Sequence, residues 1–217
     1  MKKQILSILL TLCMVLCILP TGVFAEGERT KDVSTVQELT DALADGANGT
    51  VRLTANIITD KNLTVDRTVK LDLNGYVLRY YNPDRACGNI NVTGNLTLID
   101  SNPNTEHRFT DFYGFLLMLD ETNGDKIAKG GIISNYSVCV DNCTFTMNSG
   151  SFVGCQGLAG AVEIRDGIFI MNDGLIIGCY AAHLGAVLAF GGTFNMNGGI
   201  IKECTASAVE KDGVYLT

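Results

Sequence analysis

The chain has 217 residues, a formal net charge of −7 and no tryptophan, with 16 basic against 23 acidic residues. With no basic cluster along it, that balance excludes nucleic acid and anionic membrane as partners held by charge. The length is enough for one sizeable hydrophobic core.

Residues 1–25 carry Lys2 and Lys3, an apolar stretch over 5–19, the helix breaker Pro20, and Val23 and Ala25 near the end. This pattern predicts a secretory signal peptide cut between Ala25 and Glu26. Its loss removes two lysines and takes the net charge to −9. Leucines precede Cys13 and Cys17 where a bacterial lipoprotein signal has a small residue, so lipidation is not expected. The mature chain has no apolar run long enough to span a bilayer. It is expected to be secreted or held at a bacterial cell surface.

Residues 26–32 read as a linker and residues 33–46 as a capping helix. Ser34 and Thr35 followed by Gln37 and Glu38 make a capping-box start, and Val36, Leu39, Ala42 and Leu43 share one helical face. From residue 47 onward the pattern changes to strands. Val51/Leu53, Leu63/Val65, Val69/Leu71/Leu73, Ile90/Val92 and Leu96/Leu98 alternate with polar residues between turn signals. Residues 101–130 interrupt this alternation with an irregular excursion rich in aromatics, among them Phe112 and Tyr113, which projects from the fold or packs back on it.

Residues 137–217 hold a repeat. The phrases "TFTMNSGSFVGC", "IFIMNDGLIIGC" and "TFNMNGGIIKEC" end at Cys155, Cys179 and Cys204. Phe145, Phe169 and Phe194 stand 24 and 25 residues apart, as do Met147, Met171 and Met196. Asn148, Asn172 and Asn197 keep the same spacing, followed by Gly150, Gly174 and Gly199. Between the phrases lie "SVCVDN", "AVEIRD", "AVLAFG" and the final "GVYLT". Each unit therefore has three short alternating segments, too short for a helix in every copy. Stacking the copies is the economical way to bury Phe and Met at one position of each. Every unit becomes a coil of three strands, paired in parallel with the next coil about 4.8 Å away. Alternation sends Phe145, Met147, Phe152, Cys155, Val162 and Ile164 inward, and Thr144, Thr146, Glu163 and Arg165 outward. The asparagines are assigned to turns, where they tolerate left-handed φ and bond to the amides of neighbouring coils. About 24 residues per coil from Thr50 onward gives roughly seven coils.

The phrase "F-x-M-N-x-G-x-x-x-x-C" with its "G-A-V" segments resembles the right-handed parallel β-helix repeats of secreted bacterial surface proteins, related in fold to pectate lyases. "TVQELTDALADG", "NLTVDRTVKLDLNGYVL" and "LDETNGDKIAKGGII" are similar to the upstream parts of the same proteins. The resemblance spans roughly residues 33–217. It implies an all-β, right-handed parallel β-helix, and enzymes on that fold generally act on polysaccharides.

Chemistry-bearing residues are few. Six cysteines remain after the leader, and an even number in an oxidising compartment invites disulfides. Cys155, Cys179 and Cys204, however, form a straight inward column. Such a column cannot converge on a metal, and its parallel side chains are poorly aimed for a disulfide. They are read as buried small apolar residues. Cys139 is outward and is the more exposed thiol. The outward positions of the last strand of each unit read Cys139, Glu163, Leu188, Tyr215, and two residues on Asp141, Arg165, Phe190, Thr217. Asp141, Glu163 and Arg165, with Tyr215, Phe112 and Tyr113, are the candidate binding residues. They form no carboxylate pair of the kind a glycosidase needs, so no catalytic residue is assigned. "LDETNGD" fails the calcium-loop pattern at Leu119, and neither metal nor cofactor is expected.

"GVYLT" starts a strand and stops before another phrase, so the chain is read as truncated or as part of a longer surface protein, with self-association through the last coil as a further expectation. The favoured function is a non-enzymatic, adhesin-like β-helix that binds a polysaccharide or a host or cell-surface protein. A polysaccharide lyase or glycoside hydrolase and a structural spacer are the alternatives. The enzyme reading requires Asp141, Glu163 and Arg165 to converge in one groove.

Overall fold

The computed structural model describes residues 29–81, 88–109, 121–122, 125–157, 160–181, 186–206 and 214–216. The chain winds as a right-handed parallel β-helix whose strands stack into columns, the hand taken by parallel crossovers in general. Sheet I has seven strands: Arg29–Val33, Asn48–Leu53, Val69–Asp72, Leu96–Ile99, Thr144–Met147, Ile168–Met171 and Thr193–Met196. Sheet II has six: Ile57–Thr59, Val77–Tyr80, Ile132–Ser134, Ser151–Val153, Leu175–Ile177 and Ile200–Lys202. Sheet III also has six: Leu63–Val65, Gly88–Val92, Tyr136–Asp141, Val162–Arg165, Val187–Phe190 and Val214–Leu216. One pass through sheets I, II and III makes a coil.

The repeated phrase fills the core as its period requires. Phe145 pairs in register with Phe169, and Phe169 with Phe194. Their rings stack at centroid distances of 4.9 and 5.0 Å. Met147 and Met171 are fully buried beside them. Met196 departs from the expected core role. It is 46% exposed and Phe194 is half-buried, because no strand among the described residues pairs on the outer side of that coil.

Asn148, Asn172 and Asn197 form an exposed ladder in which Asn172 Nδ2 donates to Asn148 Oδ1 and Asn197 Nδ2 to Asn172 Oδ1, both at 2.8 Å. Their backbones are not left-handed, contrary to the sequence expectation. The positive φ at these corners belongs to Gly150, Gly174 and Gly199, at 89°, 109° and 85°. A Cβ on Gly174 would also stand 2.5 Å from Met147 Cε, so both backbone and packing demand glycine there. The asparagines recur for their side-chain amides instead.

Helix α1, Val36–Ala44, closes the first coil. Thr35 accepts from Glu38 N–H while the Glu38 carboxylate accepts from Thr35 and Ser34 N–H, a complete capping box. Leu39, Ala42 and Leu43 are buried against the coil below. The far end of the helix is held by Arg67, whose guanidinium donates to the carbonyls of Ala42 at 2.7 Å, Leu43 at 2.9 Å and Asn48 at 2.5 Å. The Ala42 and Leu43 carbonyls have no partner within a helix that ends at Ala44. Residues 29–32, within the segment read as a linker, belong to a strand that extends sheet I.

Three features differ from the sequence reading. Among the described residues sheets II and III have six strands each, which makes six complete coils where the sequence predicts roughly seven. Within the excursion over 101–130, Glu106–Phe109 and Glu121–Thr122 pair antiparallel with Asp125–Lys129, so its described part is a small sheet and not irregular chain. Finally, Gln156–Gly157, Tyr180–Ala181 and Thr205–Ala206 add a short parallel sheet IV to the last three coils, which thus have four strands.

Asp100 anchors the excursion where it leaves and rejoins the helix. It is 8% exposed and accepts from Gly75 N–H and Gly131 N–H, both at 2.6 Å. His107 Nε2 bonds to the Gly75 carbonyl from the other side. A small apolar cluster of Val77, Ile132, Val153 and Ile177 lies on the outer side of sheet II.

Candidate functional site

Sheet III brings three of the candidate residues into one patch. Parallel register sets Cys139 beside Glu163 and Leu188, and Asp141 beside Arg165 and Phe190. Alternation points all six outward, away from Val138, Val140, Val162 and Ile164, which are fully buried. Asp141 and Arg165 are exposed, and Phe190 is 47% exposed at the next coil.

Glu163 is outward but not solvated, which corrects its expected place on an open face. It is 5% exposed. Its Oε1 accepts from Arg165 Nε at 2.8 Å and from Arg165 Nη2 at 2.7 Å, and Cys139 Sγ lies 4.0 Å from Oε2. A carboxylate this sheltered is tolerable because a guanidinium neutralises it. The same hydrogen bonds and charge raise the Arg165 pKa above its ordinary value. Leu188, 1% exposed, adjoins Glu163 on the same row. The unbroken apolar run Val187-Leu188-Ala189 was the sequence signal that this row is sheltered.

The three residues therefore meet, but as a salt-bridged patch. Glu163 is engaged by Arg165, and Asp141 Oδ1 accepts from Asn142 Nδ2 at 2.8 Å. The geometry offers an exposed guanidinium, an exposed carboxylate and an exposed aromatic edge, fixed on a rigid sheet. That combination suits binding by hydrogen bonds and ring contact.

The remaining candidates fall elsewhere. Phe112 and Tyr113 lie outside the described residues. Tyr215 is in register with Leu188, and its strand continues the same sheet. Among the described residues no disulfide joins Cys139, Cys143, Cys155, Cys179 or Cys204. Cys155, Cys179 and Cys204 are buried, and the Cys179 thiol donates to the Ile177 carbonyl at 3.6 Å. The neighbouring Cys155 thiol and burial push the Cys179 thiol well up, and the neighbouring Cys179 thiol and burial do the same to Cys204. Burial also raises Cys143, whose thiol donates to the Val92 carbonyl at 3.1 Å. Thiols held protonated in this way are neither nucleophiles nor ready metal ligands. Among the described residues no three His, Cys, Asp or Glu side chains are grouped to hold a metal ion.

A shallow cavity of about 220 Å³ opens where the excursion rejoins the helix, lined by Asp100, Lys129, Ser149, Ser151 and Asp173 among others. Its Asp100 oxygens are taken by backbone N–H groups, and Lys129 pairs with Glu106 at 3.5 Å. The cavity is a scaffold corner more than a reaction site. Among the described residues no helix is long and apolar enough to cross a membrane.

Compared with known protein families, with curated proteins and with solved structures, the chain shows no match. What stands is the repeating parallel β-helix itself.

Proposed function

We propose that the protein is an exported β-helical rod of the bacterial cell-surface type that binds a carbohydrate or protein partner through the outer face of sheet III and catalyses no reaction. The observation carrying this reading is the Glu163–Arg165 pair. It consumes the carboxylate that acid–base chemistry would need, yet leaves Arg165 exposed beside Asp141 and Phe190. Exposed arginine and aromatic side chains on a preorganised surface are common binding anchors. The leader-like residues 1–25 support export. Kinship with pectate-lyase-like surface proteins belongs to the same proposal, supported by the repeated phrase and its spacing.

The test is a glycan and protein array run with the wild-type chain, R165A and F190A, together with a lyase assay on acidic polysaccharides. Binding to an array member that falls at least about tenfold in R165A or F190A is expected. Polysaccharide cleavage that disappears in E163Q would replace this reading with the enzymatic one.

A further inference from the structure

The sequence holds four Asn-Gly steps, at 48, 74, 123 and 197. Such a step can close on itself, because glycine puts no Cβ between its backbone nitrogen and the asparagine amide and leaves the chain free to bend. Reaction then depends on how the fold restrains the amide and the nitrogen. Asn48 is 3% exposed, and its Nδ2 donates to the Ala42 carbonyl and to Asp45. Asn74 is half-buried with Nδ2 on the Leu53 carbonyl at 3.0 Å, and buried Asp100 holds the Gly75 N–H at 2.6 Å. Asn123-Gly124 lies outside the described residues. Asn197 is exposed, and the Gly198 N–H only shares the Met171 carbonyl, at 3.2 Å against 2.8 Å for the N–H of Asn197 itself.

Place in the amide ladder removes a second restraint. The Asn172 amide is held at both atoms, donating through Nδ2 to Asn148 and accepting at Oδ1 from Asn197. Asn197 donates to Asn172, while among the described residues no donor meets its Oδ1. The residue after the ladder asparagine is Ser149, Asp173 and Gly198 in turn, so glycine follows the outermost rung alone. A Cβ at 198 would collide with the Asn172 carbonyl oxygen, so packing keeps glycine there.

We propose that Asn197 is a site of spontaneous self-modification, an irreversible mark that unpins the sixth coil. The Gly198 nitrogen attacks Cγ of Asn197 and gives its proton to water; a C–N bond forms, and the Cγ–Nδ2 bond breaks to release ammonia. Water then opens the cyclic imide at either carbonyl, leaving aspartate or isoaspartate with no electron transferred. Either product loses the Nδ2 donor and sets a carboxylate, ionised at neutral pH, against Asn172 Oδ1. Isoaspartate also lengthens the main chain by one bond beside Gly199, whose φ of 85° forms the corner. Strands Thr193–Met196 and Ile200–Lys202 flank that corner, so both are loosened together. This inference does not rest on the sheet III reading.

The test incubates the folded full chain at mildly alkaline pH and follows acid at each asparagine by peptide mass spectrometry. Expected is acid at 197 at least about tenfold faster than at 48 and 74, with isoaspartate the major product. In the urea-unfolded chain the same three steps should react within about threefold of one another, since no fold guards any of them. Hydrogen exchange of the 193–202 amides should speed at least about tenfold in the aged wild-type chain and in N197D, while the Thr144–Met147 amides stay unchanged. Acid forming no faster at 197 than at 48 or 74, aspartate without isoaspartate, or a folded ranking that urea leaves intact overturns the inference. So does an aged, modified chain whose 193–202 amides exchange like those of the fresh one.

Discussion

The two ends of the rod treat the same kind of core differently. At the first coil α1 covers the stack, its box closed by Thr35 and Glu38 and its last carbonyls held by Arg67. At the sixth coil Phe194 is half-buried, Met196 is 46% exposed and Ile200 56% exposed. Phe169 and Met171, at the matching positions one coil below, are fully buried. One phrase is core in the middle of the rod and surface at its margin. In a solenoid, burial belongs to the neighbours a coil has and not to its own sequence.

The largest test of this contrast is a pair of truncations in the aromatic stack. F169A should cost about 3–5 kcal/mol, because it opens a cavity between two rings. F194A should cost about 1 kcal/mol, for a ring already partly in water. Urea denaturation of both variants measures the difference, and equal losses would mean the last coil is as well covered as the fifth. Next in size is R67A, expected to cost about 2 kcal/mol through loss of charge-assisted bonds to the helix carbonyls. Hydrogen exchange should then show α1 amides opening while the sheet amides of the fourth and fifth coils stay protected. Simultaneous opening would mean the cap and the stack are one cooperative unit.

The smallest expected effect is on pH dependence. The N–H and hydroxyl of Ser34 hold the Glu38 carboxyl below its ordinary value of 4.5, with help from Thr35. Hydrogen bonding to Arg52 holds Asp32 below 3.8. A lowered carboxylate pKa stabilises the fold fully above the ordinary value, and the contribution disappears as pH falls through the folded one. The α1 amides should therefore lose protection on acidification below pH 4.5 before those of the stack, with E38Q removing most of this early step. Identical profiles for wild type and E38Q would show that the box adds nothing measurable.

The regular part of this fold was readable because the same residue returns at the same place in each coil. Phe145, Phe169 and Phe194 set the period, and α1 announced itself through Thr35 and Glu38. Features that occur once had no period to betray them. Arg67 reaches the helix across 24 residues, and Asp100 joins Gly75 to Gly131, distances at which sequence carries no local signal. The extra strands at Gln156–Gly157, Tyr180–Ala181 and Thr205–Ala206 are two residues long, below the length at which alternation can be seen. At the sheet III patch, the sequence placed Asp141, Glu163 and Arg165 together. It did not reveal that Arg165 folds back on Glu163, since alternation fixes a side chain's face but not its partner.

The in-register stacking of Phe145, Phe169 and Phe194 also makes the rod's length a separable property. Each of the last three coils hands the next a matching cross-section, so loss or duplication of one period there leaves the joins matched ring to ring and amide to amide. A gene encoding such a chain can lengthen or shorten its product by whole turns without inventing a new interface. The distance between the helix-capped base and the outermost coil is then set by copy number alone.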